Sequence, residues 1–364
     1  MKPVKRVLFF ISKIGNTGGT ERVCIAIANE LAKRGYEISI LSMFGCTPFF
    51  KVSDSIKLKA VFEKKRDLKL ILPFAIYKIR RKMAALNPDV IVNVDSALFI
   101  YSQVAAIGMG IKKIVWEHFN FKVSQGSVAR IWSRRLAANF CDVVVTLTDR
   151  DRAQWLNNLR CKCPVIAITN PSSYPVTQKT VPPKENIVLS VGRLTFQKGF
   201  DLLIETWNLI DKRAGVGDWK LFIVGSGEME KELQDLIGKY SLEQSIQLLP
   251  ATPQVDIYYR MASIYCLTSR YEGFPLVLLE AQSFGLPLIS FDCETGPAEI
   301  IVHGSNGLLA PDKDVTILSE LLERQMHDEN SRQKMQEAAL KESAKYDLAA
   351  VAAQWDQFLK SLSR

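Results

Sequence analysis

Glu272 and Glu280 are separated by seven residues in the string Ser269-Arg270-Tyr271-Glu272-Gly273-Phe274-Pro275-Leu276-Val277-Leu278-Leu279-Glu280. The two carboxylates bracket a tight turn and the start of an apolar helix. Pro275 suits the first helical position and Gly273 a close backbone approach, so the free N–H groups of this helix start can face an anion. Glu280 then lies one to two turns into the helix among leucines, valine and alanine. An ionised carboxylate there must be paired or hydrogen-bonded to offset its desolvation, and two sugar hydroxyls would satisfy it. Taken alone, the same spacing describes a solvated turn residue and an ordinary polar helix face.

Three other loops carry chemistry-bearing residues. Gly192-Arg193-Leu194-Thr195-Phe196-Gln197-Lys198-Gly199 joins a strand to a helix, and its two cations can hold a diphosphate and neutralise the charge that develops on it. Gly225-Ser226-Gly227 follows the next strand. Near the start, Gly15-Asn16-Thr17-Gly18-Gly19-Thr20-Glu21-Arg22 opens a helix and can present backbone N–H groups to phosphate. That loop lacks the G-x-G-x-x-G spacing of a dinucleotide fold, and strand two ends Leu41-Ser42-Met43-Phe44 without an acid for a ribose, which argues against a dehydrogenase. Trp116-Glu117-His118-Phe119-Asn120 ends another strand, where α/β enzymes place functional side chains.

The Glu272 to Glu280 string, Gly-Arg-x(4)-Lys-Gly at Gly192 to Gly199, and the Gly225-x-Gly227 turn occur in one order. Together they resemble the signatures of the retaining nucleotide-sugar glycosyltransferases of family 4, the glycogen-synthase-like group of GT-B fold. The resemblance is strongest over residues 187–310; Gly18-Gly19 and Glu117-His118 carry it in the first half. It implies that Glu272 contacts donor-sugar hydroxyls and that Gly273, Phe274, Pro275, Leu276 and Val277 approach the diphosphate. Glu280 would bind the ribose. Arg193 and Lys198 would stabilise the leaving group, Gly18, Gly19 and Gly225 would line the donor site, and His118 would reach the sugar near the reacting carbon. Glu117 is expected to orient His118 or bind the acceptor, with Arg22 beside it.

Those side chains need two scaffolds. At 364 residues the chain can form two domains, each with its own core, and 48% hydrophobic with 23% charged residues is a globular composition. Strand-like runs alternate with helix-length segments twice over, so the fold class is α/β, two Rossmann-like doubly wound domains. The resemblance implies that they face one another across a cleft. The domains are expected at 1–175, binding acceptor, and 186–345, binding nucleotide sugar, with a proline-rich linker near 171–185. The resemblance further implies that residues 346–364 form a C-terminal helix returning to the first domain. Expected strands are Arg6–Ile11, Glu37–Ser42, Val90–Asn93, Lys113–Trp116, Asp142–Leu147, Ile187–Val191, Lys220–Val224, Ile246–Leu249, Ile264–Thr268 and Pro287–Phe291.

Seven scattered cysteines, an odd number, fit reduced thiols, and with three histidines no metal site is expected. No segment has the length of a membrane span, and Val7 to Ile11 is too short for a signal peptide, so a cytoplasmic location is expected. The net charge of +9 is uneven: residues 1–185 carry 30 Lys+Arg against 13 Asp+Glu, or +17, leaving −8 for the rest. Lys64, Lys65, Arg66, Lys69, Lys78, Arg80, Arg81 and Lys82 flank the apolar stretch 70–77, which reads either as a segment lying on an anionic membrane face or as a solvated helix. No nucleic-acid-binding module accompanies the charge.

The expected reaction is metal-independent hexosyl transfer from a nucleotide sugar, a UDP-sugar favoured, to a saccharide acceptor. That acceptor is expected to be lipid-linked, in surface polysaccharide assembly. The alternatives are a sugar-nucleotide 2-epimerase of the same architecture and a non-catalytic saccharide- or membrane-binding subunit.

Overall fold

The computed structural model describes residues 4–67, 71–123, 128–175 and 185–362. The chain divides into two compact units, Met1–Pro171 with Leu348–Arg364, and Ser172–Asp347. Most of the expected linker, residues 176–184, lies outside the described residues, as does Lys69 of the basic segment.

In the first unit, strands β1 (Arg6–Ile11), β2 (Glu37–Phe44), β3 (Lys57–Phe62), β4 (Val90–Val94), β5 (Lys112–Trp116), β6 (Val143–Thr146) and β7 (Val165–Ala167) form one parallel sheet. Its order is β3-β2-β1-β4-β5-β6-β7. The connecting helices are α1 (Gly19–Lys33), α2 (Leu72–Leu86), α3 (Phe99–Ala105), α4 (Val128–Phe140) and α5 (Asp149–Asn158). The chain steps one way from β1 to β2 and the other way from β3 to β4, β5 and β6. Right-handed crossovers therefore put α2, α3 and α4 together on one face of the sheet, opposite α1. Packing agrees: α2 buries Ala75, Ile79 and Met83, and α3 buries Ala105, in a core with Leu8, Phe10 and Ile91. Coverage on both faces explains why β1 and β4 are almost continuously apolar.

The second unit repeats the plan with β8 (Ile187–Val191), β9 (Lys220–Val224), β10 (Ile246–Leu249), β11 (Ile264–Leu267), β12 (Leu288–Asp292) and β13 (Gly307–Pro311). All pairs are parallel, in the order β10-β9-β8-β11-β12-β13. Its helices are α6 (Phe200–Ala214), α7 (Glu230–Lys239), α8 (Asp256–Met261), α9 (Leu276–Ser283), α10 (Pro297–Ile300), α11 (Val315–His327) and α12 (Glu329–Ser343). The core gathers Leu203, Trp207, Ile223, Leu233, Ile264 and Leu318.

Helix α13 (Leu348–Ser361) closes the first unit against α1. Tyr36 Oη donates to Asp356 at 2.8 Å, and Trp355 meets Trp116 edge-on at 4.8 Å between ring centroids. Two expected limits shift. Ser172 bonds Ser283 (Oγ to Oγ, 2.8 Å) and Tyr174 packs on Phe284, so the second unit begins at Ser172 rather than after residue 175. Tyr346 packs on Phe274 and stays with that unit as well.

Candidate active site

In both sheets the strand order reverses at the first strand, between β1 and β4 and between β8 and β11. Ligands of doubly wound sheets bind outside the carboxyl ends of strands at such a point. In the second unit, the loops that end β8, β9, β11 and β12 carry Arg193 and Lys198, Gly225 and Gly227, Glu272 to Pro275, and Thr295 and Gly296.

These loops are tied to one another. Leu194 N–H donates to the Ser226 carbonyl at 3.0 Å, and Met229 N–H to the Leu194 carbonyl at 3.0 Å. A Cβ on Gly225 would stand 1.8 Å from the Gly192 oxygen, and one on Gly227 would stand 2.4 Å from the Leu194 oxygen. The glycines of the Gly-x-Gly turn thus admit the backbone of the Arg193 loop. Arg270 makes a two-pronged ion pair with Asp201 (2.8 and 2.5 Å) and lies 4.0 Å over the Phe196 ring, while its N–H donates to the Gln197 carbonyl at 2.8 Å.

Lys198 Nζ donates to Glu272 Oε1 at 2.6 Å, and Ser269 Oγ donates to the same oxygen at 2.6 Å. Thr295 Oγ1 holds the Glu272 carbonyl at 2.5 Å. The side chains of Lys198 and Glu272 are 14% and 7% exposed, so the pair sits at the rim of the protein interior. Arg193 is exposed and makes no ion pair or side-chain hydrogen bond among the described residues.

Pro275 is not the first helical residue, as expected, but the N-cap: its ψ of 97° is extended, and α9 begins at Leu276. The amides of Leu276 and Val277 open the helix and have no intrahelical acceptor. Glu280 is buried and accepts from Tyr259 Oη at 3.0 Å. Burial first, and then the Glu280 charge, push the Tyr259 phenol well above its ordinary range, so it stays a donor.

In the first unit, Gly18 is the N-cap of α1, and Gly19 is its first residue rather than part of the preceding loop. Glu21 accepts from Asn16 Nδ2 at 3.1 Å, and the Arg22 guanidinium lies 5.8 Å from the Phe50 ring centroid. His118 is 8% exposed and packs against Trp116 with the rings tilted by 49° and centroids 4.4 Å apart. Its Nε2 is buried and has no hydrogen-bond partner among the described residues. Burial lowers its pKa to about 4, which leaves a neutral imidazole at neutral pH.

Glu117 is held by side chains and backbone of its own unit. It is 1% exposed, and both oxygens are engaged: Oε2 accepts from Arg134 Nε at 2.9 Å and Ser96 Oγ at 2.7 Å, and Oε1 from Phe119 N–H at 3.1 Å. Burial raises its pKa, but the Arg134 charge and hydrogen bond outweigh burial and hold the carboxyl ionised. Arg134 in turn donates to the carbonyls of Asn120 and Phe121. Glu117 therefore fixes the backbone that follows His118. Alongside, Asp95 takes φ 94°, strained for a side-chain-bearing residue, and pairs with Arg130 at 2.8 Å.

Sequence reasoning missed Ser269, Thr295, Tyr259, Arg270, Asp201 and Arg134. Ser269 and Arg270 stand inside the quoted string, so only their partners were hidden. Arg134 carries no local signal, since it lies on α4 while the carboxylate it pairs with follows the end of β5. Among the described residues no three His, Cys, Asp or Glu side chains converge as metal ligands, and no helix is long and apolar enough to cross a membrane.

Residues 17–171 match Glycosyltransferase Family 4, and residues 176–342 match Glycosyl transferases group 1. An uncharacterized glycosyltransferase of Haemophilus influenzae is 35% identical over 98% of this chain and 100% of its own length. A Campylobacter jejuni α-1,4-N-acetyl-D-galactosaminyltransferase named for an undecaprenol-diphosphate-linked saccharide is 26% identical, covering 96% of this chain and 97% of its own. The crystal structure of Anabaena HepE with UDP and glucose superposes with a TM-score of 0.80 at 18% identity, over 98% of this chain and 99% of that one. With two parallel-sheet units whose loops carry Arg193, Lys198 and Glu272, the chain belongs to the family 4 glycosyltransferases, enzymes of the GT-B fold.

Proposed function

We propose that this enzyme transfers a hexosyl group from a nucleotide sugar, a UDP-sugar, to a lipid-linked saccharide in bacterial surface polysaccharide assembly, with retention at the anomeric carbon. The observation that carries the reading is the ion pair of Lys198 with Glu272 beside an exposed Arg193 and the open amides of Leu276 and Val277. One loop cluster offers cations and N–H donors to a diphosphate and a buried carboxylate to sugar hydroxyls. Glu280, already held by Tyr259, has the chemistry to take a ribose hydroxyl. The unpartnered Nε2 of the neutral His118 suits a sugar hydroxyl.

In the step proposed, the bond from the anomeric carbon to the diphosphate oxygen breaks, and its electron pair leaves with the diphosphate. The acceptor hydroxyl oxygen bonds to the same face of that carbon, and its proton passes to the departing phosphate oxygen. Arg193, Lys198 and the α9 amides stabilise the charge that develops, which is electrostatic catalysis without a metal. The UDP bound by HepE and the lipid-linked saccharide in the Campylobacter enzyme's name support the donor and acceptor classes.

A thermal-shift titration with UDP, GDP, ADP and NAD tests it, because a ligand that binds only the folded state raises Tm in proportion to its affinity. Stabilisation by UDP that is reduced in Glu280→Ala is expected. A response to NAD alone, or to no nucleotide, would overturn the reading, and turnover abolished by EDTA would overturn its metal-free step.

A further inference from the structure

Helices α2, α3 and α4 are neighbours in the layer that α5 completes on one face of the first sheet; none of the three contains an aspartate or glutamate, whereas α5 carries Asp149 and Asp151. The three carry Lys78, Arg80, Arg81, Lys82, Arg130, Arg134 and Arg135. Arg130 and Arg134 are buried, while Arg80, Arg81 and Arg135 are exposed. Arg80 donates to the carbonyls of Ala105 and Ile107 (2.9 and 2.7 Å), which locks α2 to the end of α3.

The outer surface of this layer also shows large apolar side chains: Phe74 is 50% exposed, Tyr77 55%, Ile107 64%, Val128 65%, Ile131 42% and Trp132 55%. Single exposed apolar residues are ordinary. Here the exposed aromatics are coupled to cations one helical turn away. Lys78 Nζ lies 5.1 Å from the Phe74 ring centroid, the Arg81 guanidinium 5.9 Å from Tyr77, and that of Arg135 5.4 Å from Trp132. An aromatic body beside a cationic head matches the boundary between acyl chains and charged headgroups. A protein partner would need carboxylates set opposite each cation, whereas an anionic bilayer presents negative charge everywhere on its surface.

We infer that the outer face of α2, α3 and α4 docks on an anionic lipid bilayer, with Phe74, Tyr77 and Trp132 entering the headgroup layer and Arg81 and Arg135 pairing with lipid phosphates. The inference deepens the proposed function by naming the surface at which a lipid-linked acceptor is met. It rests on that reading for its purpose, and on its own geometry for the binding.

Flotation of the full chain with phosphatidylglycerol–phosphatidylcholine vesicles and with phosphatidylcholine vesicles tests it. The anionic vesicles are expected to carry the protein and the neutral ones are not, with release at about 1 M salt. Each basic residue near an anionic surface contributes about a fivefold change in partitioning, so Arg81→Glu with Arg135→Glu should weaken binding at least about tenfold. Tyr77→Ser with Trp132→Ser should weaken it on the same vesicles. Both double variants change exposed positions and should keep the wild-type Tm response to UDP, so loss of vesicle binding is read separately from nucleotide binding. Absence of binding to anionic vesicles, or wild-type binding by the charge-reversed variant, would overturn the inference. So would a dimer in solution that Tyr77→Ser with Trp132→Ser dissociates, because the face would then belong to a second copy.

Discussion

Lys198 Nζ and Glu272 Oε1 lie 2.6 Å apart although 74 residues separate them in the chain. One belongs to the loop after β8 and the other to the loop after β11, so the pair joins the two strands that flank the reversal of the second sheet. A cation and a carboxylate expected to address different parts of a donor hold one another. Each is thereby pre-positioned.

Removing one partner leaves the other charge poorly solvated at the rim of the core. Lys198→Ala is expected to lower stability by about 3 kcal/mol, the lower end for breaking a buried pair. Glycosyl transfer should fall at least about a hundredfold. Urea unfolding beside a transfer assay checks both, and Lys198→Met with Glu272→Gln should recover much of the stability and none of the activity.

Burial depresses the His118 pKa from 6.5 to about 4. Between those values the unfolded chain binds the proton and the folded chain does not, so this stability is fully present above pH 6.5 and is lost as pH falls toward 4. The loss approaches about 3 kcal/mol. His118→Gln should flatten that part of the stability–pH curve, measured by urea midpoints from pH 7.5 to 4.5.

Arg134 is 4% exposed and faces a fully buried Glu117. Arg134→Ala is expected to cost about 3–5 kcal/mol by leaving that carboxylate without its cation. Hydrogen exchange at the amides of residues 118–121 should rise most, since the same guanidinium holds the carbonyls of Asn120 and Phe121.

Gly225→Ala would drive a methyl to 1.8 Å from the Gly192 oxygen, so the Arg193 loop must move. Nucleotide affinity should drop at least about tenfold. Gly238→Ala, within α7 with only Glu243 Oε1 at 3.6 Å, is the contrasting case: it should keep affinity and raise stability by about 0.5–1 kcal/mol. Isothermal titration with UDP and thermal unfolding separate the two.

Much of this was legible in the residues. The inner strands of both sheets, buried on two faces, read as continuous apolar runs, and the loops at their carboxyl ends carry the Gly-Arg-Lys-Gly and Glu-Gly-Phe-Pro strings. Strands β3, β7 and β13 escaped the reading, and all three lie at sheet edges. An edge strand is short or half-solvated: Lys57 and Lys59 break the apolar run of β3, β7 has three residues, and β13 ends in Pro311. Within the site, residue types were readable but partners were not. Glu117 looked available for a ligand because its cation, Arg134, lies on the helix that follows.

The second unit is one continuous stretch of chain, whereas the first is completed by α13, whose Trp355 covers Trp116 beneath His118. On the ribosome the usual N-terminal-first order is therefore expected to be inverted. The unit synthesised first must wait, with Trp116 uncovered, until residues 348–361 emerge behind a second unit already free to fold. Chaperone demand during synthesis should concentrate on that interval.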